Sequence, residues 1–95
     1  MGRISKAARG KHRWIGIRSN VVYKSREDLK IVISNILGHR KWALYDFKCI
    51  DELCFFIIKA RLEDYETTLN LINSDIFFKT LTSSGKINLV RERIF

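Results

Sequence analysis

The sequence predicts an α+β domain, α/β in the broad sense, in which two helices cover one face of a four-stranded antiparallel sheet and a further helix follows. Three observations carry that expectation. Two segments space their apolar residues as amphipathic helices do, four short β-prone segments lie around them in the order β-α-β-β-α-β, and 95 residues suit one compact domain. With 46% hydrophobic residues the chain has the material for a core, which separates it from a disordered basic tail.

The first strand is read over residues 12–20, where Trp14, Ile15 and Ile17 stand in a β-prone setting. Ser25 then precedes Leu29, Val32, Ile33, Ile36 and Leu37, the i, i+3, i+4, i+7, i+8 spacing of a helix with one apolar face. Ser25 with Asp28 resembles a capping box, Glu27 and Asp28 suit the positive helix N-terminus, and Gly38 supplies the stop. Residues 42–49 alternate as a second strand, with Trp42 and Leu44 set against Tyr45 and Phe47. Residues 53–60 (LCFFIIKA) make a third, joined to it by a short hairpin connection at Ile50, Asp51 and Glu52. Over residues 54–58 this third strand is apolar on both faces, as expected of a central strand covered on both sides. Leu62, Tyr65, Leu69 and Ile72 mark a second helix, and residues 76–82 a fourth strand. Ser84 and Gly85 form a turn, and residues 86–95 run as a short basic helix with Ile87, Val90 and Ile94 on one side.

This order is the split βαβ pattern of ferredoxin-like and RNA-recognition-like folds, here with an extra C-terminal helix. The sheet face turned away from the two covering helices is expected to bear Trp14, Trp42, Phe55 and Phe77. Such a face needs a cover, whether the last helix, a partner protein or stacked bases.

Lys and Arg outnumber Asp and Glu by 18 to 10, a formal charge of +8. The excess is uneven. Residues 1–18 carry Arg3, Lys6, Arg9, Lys11, Arg13 and Arg18 with no acidic residue, a balance of +6, and residues 19–95 only +2. Residues 1–11 are therefore read as a basic, flexible arm ahead of a single domain over 12–95, and so concentrated a charge attracts polyanions. Neutralising four phosphates would give a log–log salt slope of about −3 to −4. No apolar run approaches the roughly 18 to 20 residues of a membrane span, and no secretory leader is recognised. A cytoplasmic protein with no membrane partner is expected.

Enzyme chemistry finds little support. His12 and His39 lie far apart, with no partnered nucleophile, and Asp46, Asp51, Glu52, Glu63, Asp64 and Glu66 fall in turns or on a solvated helix face. Cys49 and Cys54 flank the hairpin and a disulfide between them is geometrically conceivable, but two half-buried thiols are the preferred reading in a reducing compartment. Two cysteines are too few for a closed zinc site, and no phosphate-binding glycine loop is present. No catalytic residue, metal or cofactor is thus expected in this chain. The third strand also lacks the glycine and basic lead of the RNA-recognition signature, which favours Lys and Arg contacts to a nucleic-acid backbone over stacking on the sheet.

The stretch FFIIKARLEDYETTLNLI, followed by IFFKTLTSSGKINLVRERIF, resembles the end of the archaeal ribonuclease P protein component 2 family: a strand ending in a basic residue, an amphipathic helix, then a strand entering a Ser-Gly turn and a basic terminal helix. RWIGIRSN is similar to the family's opening strand. The resemblance spans roughly residues 12–95 and is strongest over 54–95; Lys86 stands where the family typically has threonine, which adds a phosphate-seeking charge.

The resemblance implies a protein subunit of ribonuclease P, the ribonucleoprotein endonuclease that removes the 5′ leader from precursor tRNA. The RNA subunit holds the catalytic centre and its magnesium. The implied partners are ribonuclease P RNA, protein component 3 and the other protein subunits, with precursor tRNA as substrate of the whole. RNA phosphates are then expected at Arg3, Lys6, Arg9, Lys11, Arg13 and Arg18, at the Ser84, Gly85 and Lys86 turn, and at Arg91 and Arg93. The partner protein is expected at Trp14, Trp42, Phe55 and Phe77. A stand-alone RNA-binding module and a homodimerising ferredoxin-like interaction domain remain the alternatives.

Overall fold

The structure, a computed structural model, describes residues 12–95. The expected basic arm over residues 1–11 lies outside the described residues. The elements are β1 (His12–Ser19), α1 (Arg26–Leu37), β2 (Trp42–Ile50), β3 (Leu53–Arg61), a 3₁₀ turn (Leu62–Asp64) leading into α2 (Tyr65–Ser74), β4 (Phe78–Ser84) and α3 (Ile87–Ile94). The four strands form one sheet in the order β2-β3-β1-β4, and every neighbouring pair is antiparallel.

Local chemistry sets the limits of α1. The Ser25 hydroxyl accepts the Asp28 N–H at 3.2 Å and so satisfies one of the free donors of the first turn. At the other end Gly38 turns left-handed, φ 66°, while its N–H donates to the Ser34 carbonyl at 2.8 Å. Any side chain there would be strained, which is why the helix stops where glycine stands.

Strand alternation then builds the core. Ile15 and Ile17 of β1 and Phe56, Ile58 and Ala60 of β3 face α1 and α2, packing with Leu29, Ile33, Leu37, Leu44, Ile72 and Phe78. The intervening residues, Trp14, Gly16 and Arg18 of β1 and Phe55, Ile57 and Lys59 of β3, belong to the opposite face. There α3 is seated on Gly16: a Cβ at that position would stand 3.0 Å from Val90 Cγ1 and 3.1 Å from Ile94 Cγ2. Val90 and Ile57 are fully buried. A helix of eight residues is unstable alone, so its packing on the sheet is what holds α3 in shape.

Both edge strands bulge beside that seat. In β2 the register slips between Tyr45 and Phe47, leaving Asp46 as the extra residue at φ 25°. In β4 it slips at Leu81, between Thr80 and Thr82. Each bulged strand gives α3 an anchor. Arg91 pairs with the Asp46 carboxylate through two hydrogen bonds, at 2.5 and 3.2 Å, and Arg93 donates to Thr82 Oγ1 at 2.9 Å and to the Ser83 carbonyl at 3.3 Å.

Three expectations change. The fourth strand begins at Phe78 rather than residue 76. Asp75 accepts the Phe77 N–H on its side chain and the Phe78 N–H on its carbonyl, forming a turn that puts Ile76 and Phe77 outside the ladder. The second helix opens as a 3₁₀ turn from Leu62 and becomes α-helical only at Tyr65. Cys49 and Cys54, preferred as two thiols, are direct register partners across the two-residue Asp51–Glu52 turn, and their sulfurs are joined as a disulfide.

Gly16→Val places branched carbons where Val90 and Ile94 sit, so α3 should come off the sheet while α1 and α2 keep theirs. Hydrogen exchange should show residues 87–94 losing protection with α1 unaffected; equal loss throughout would mean that α3 is integral to the main core.

Candidate nucleic-acid interface

The face that carries α3 is ordered in rows that run across the strands. The middle row, Tyr45, Ile57, Gly16 and Thr82, lies at the α3 seat. Toward the start of β1 the next row is Ala43, Lys59, Trp14 and Ser84, followed by Arg61 and His12. Toward the hairpin the row is Lys48, Phe55, Arg18 and Lys79.

The first of these flanks is both aromatic and cationic. The Lys59 ammonium lies 5.4 Å from the centre of the Trp14 ring, and Tyr45 meets the same ring edge-on at 4.7 Å. Beside them opens a cleft of about 760 Å³ lined by His12, Lys41, Trp42, Ala43, Lys59, Arg61, Leu62 and Glu63. Lys41, Lys59 and Arg61 outnumber Glu63, which pairs with Arg61 at 3.2 Å in an exposed contact of small energetic weight. A smaller cleft next to it adds His39 and Arg40, the latter donating to the Leu37 carbonyl at the end of α1. The volume is that of a small-ligand site, and its cationic lining suits an anion. His12, the first described residue, lies on its wall, so the chain joins the basic segment 1–11 at this cleft.

The expected site residues separate into groups. Arg13 and Gly85 come together, with the Arg13 guanidinium 3.4 Å from where a Gly85 Cβ would be, but Arg13 shares the α1 and α2 side of the sheet with Ile15. Arg18 is on the opposite face. At the turn the Ser84 hydroxyl accepts the Lys86 N–H at 3.1 Å, so that donor is already used. Arg91 and Arg93 are spent on fixing α3; the hydrogen bond to Asp46 also holds the Arg91 guanidinium above its ordinary pKa. Arg3, Lys6, Arg9 and Lys11 lie outside the described residues.

The four aromatics expected on one partner surface also divide. Trp42 packs against the core on the α1 and α2 side, because it pairs with Ala60 rather than with Lys59. Trp14 and Phe55 are half-buried on the α3 side, and Phe77 is 46% exposed in the loop before β4. Ile76, 82% exposed, and Val22, 50% exposed, stand in the two loops that the Asn20 N–H to Phe77 carbonyl hydrogen bond brings together. The cleft therefore stands at one end of the sheet, and the exposed apolar loops stand at the other, beyond the row of Lys48, Arg18 and Lys79.

Lys41, Lys59 and Arg61 were not among the expected contacts. Their signal was present in the third strand, where Phe55, Lys59 and Arg61 share one parity, but the apolar run from Cys54 to Ile58 concealed it. Among the described residues no three His, Cys, Asp or Glu side chains gather as a metal site, and no helix is long and apolar enough to cross a membrane. The chain matches no family model, no curated protein and no solved structure.

Asp46→Ala should release the Arg91 guanidinium to solvent. Its titration against a single-stranded polynucleotide should steepen the log–log salt slope by up to about 0.7; an unchanged slope would show that Arg91 lies outside the reach of the bound polyanion.

Proposed function

We propose that this chain is an RNA-binding protein subunit of ribonuclease P, which binds the RNA subunit and protein component 3 and promotes RNA-catalysed removal of the 5′ leader from precursor tRNA. The observation that carries the RNA-binding part is the cleft lined by Lys41, Lys59, Arg61 and His12, with Lys59 also over the Trp14 ring, and the sequence immediately before His12 holds four further cations and no acid. Lys and Arg set around an aromatic platform bind a nucleic-acid strand by charge and stacking without base-specific readout. The ribonuclease P part rests on the resemblance over residues 54–95. The Ser84-Gly85-Lys86 turn that ends its strand leads directly into α3, the helix that corresponds to the family's basic terminal helix.

The finer fold reading is ferredoxin-like. It is supported by the strand order β2-β3-β1-β4 with all pairs antiparallel and by α1 and α2 packing on one face of the sheet, the arrangement expected of a split βαβ unit. In this reading the RNA subunit and its magnesium perform the chemistry, and this chain supplies positioning and phosphate neutralisation. The apolar loops bearing Val22, Ile76 and Phe77 are the surface offered to component 3, at the far end from the cleft.

Reconstitution tests this directly. Added to a ribonuclease P RNA together with component 3, the protein should raise the rate of precursor-tRNA cleavage. A gain that does not need component 3 would favour a stand-alone RNA-binding module, and no gain at any magnesium or salt concentration would refute the assignment. Removing residues 1–11 should lower RNA affinity and reduce the salt slope by about 3 to 4, from four cations at roughly 0.7 to 0.9 each.

A further inference from the structure

The row on the hairpin side of the α3 seat has a composition that the cleft does not account for. Lys48, Phe55, Arg18 and Lys79 are consecutive register partners across all four strands, so one aromatic and three cations lie side by side on one face. Neighbouring strands are about 4.8 Å apart, which makes the row about 14 Å long. Lys48 and Lys79 are exposed, Arg18 and Phe55 half-buried.

Nothing described in the protein neutralises this charge. The ion pairs among the described residues are Arg61 with Glu63 and Arg91 with Asp46, neither of them in the row, and residues 1–11 contain no acidic residue. The Nε of Arg18 is moreover buried and has no hydrogen-bond acceptor among the described groups. A guanidinium N–H removed from water without an acceptor is costly, and a phosphate oxygen is the kind of acceptor its planar fork suits.

We propose that Lys48, Arg18 and Lys79 form a second contact for single-stranded RNA, binding its phosphates while an unstacked base lies on Phe55. This rests on the RNA-binding reading of the cleft and extends it to a separate segment of RNA, since the α3 seat on Gly16 lies between the two. Protein interfaces are depleted of lysine at their centre, whereas cations flanking an aromatic ring are the composition of a single-strand binding surface. RNA is for that reason the occupant, with component 3 assigned to the apolar loops beyond.

The test compares two double variants of the full chain, Lys48→Gln with Lys79→Gln for the row and Lys59→Gln with Arg61→Gln for the cleft. Binding of a single-stranded RNA oligonucleotide is followed by anisotropy across a salt series. Each pair should lower the log–log slope by about 1.4, from roughly 0.7 per lost phosphate contact, and the two losses should add. Phe55→Leu keeps an apolar side chain and should weaken binding by about tenfold at every salt concentration with the slope unchanged. If only the cleft pair lowers the slope, the row is not an RNA contact and the cleft reading stands. The same holds if the row pair loses component 3 but keeps its RNA slope. If neither pair changes the slope, both readings fall.

Discussion

The close approach of α3 to β1 at Gly16 is the contact on which the remaining architecture depends. The absence of a side chain at Gly16 lets Val90 and Ile94 come this close to the strand, since a Cβ there would be in tight contact with both, and that approach covers the centre of the second face. Burying a valine side chain contributes about 1.5 to 3 kcal/mol, a substantial fraction of the roughly 5 to 15 kcal/mol net stability of a domain. The helix also determines what is left uncovered. By occupying the middle row it leaves a cationic, aromatic flank on each side, so the distribution of charge on this face follows from where one short helix sits.

The parts of the fold set by local chemistry were legible in the sequence. Ser25 and Gly38 mark the ends of α1 because capping and left-handed turns involve only residues a few positions apart. What could not be read involves distant partners. Arg91 is 45 positions from Asp46, and neither residue alone indicates that one anchors the other. The same holds for Arg93 with Thr82. Both arginines, expected at RNA phosphates, also fix the helix that shapes the face.

For the site, composition located the charge but not its direction. Arg13 and Arg18 belong to one strand and differ by an odd number of positions, which sends them to opposite faces. Lys59 and Arg61 follow an apolar run and share the parity of Phe55, so they belong to the open face although the segment reads as a core strand. Trp42 shows the reverse case: an aromatic residue in a basic setting that packs against the core. In each case strand parity, more than residue type, decides which surface a side chain serves.

The extra residue at Asp46 has an effect beyond holding α3. Up to the bulge the odd positions of β2, Ala43 and Tyr45, share a face with Lys59 and Ile57; beyond it the even position Lys48 does, opposite Phe55. The insertion reverses the strand's alternation halfway along. Had β2 run on from Tyr45 as a regular ladder, Phe47 would stand beside Phe55 and Lys48 would turn toward the core, so this single irregular position puts the aromatic side chain inside and the charged one out.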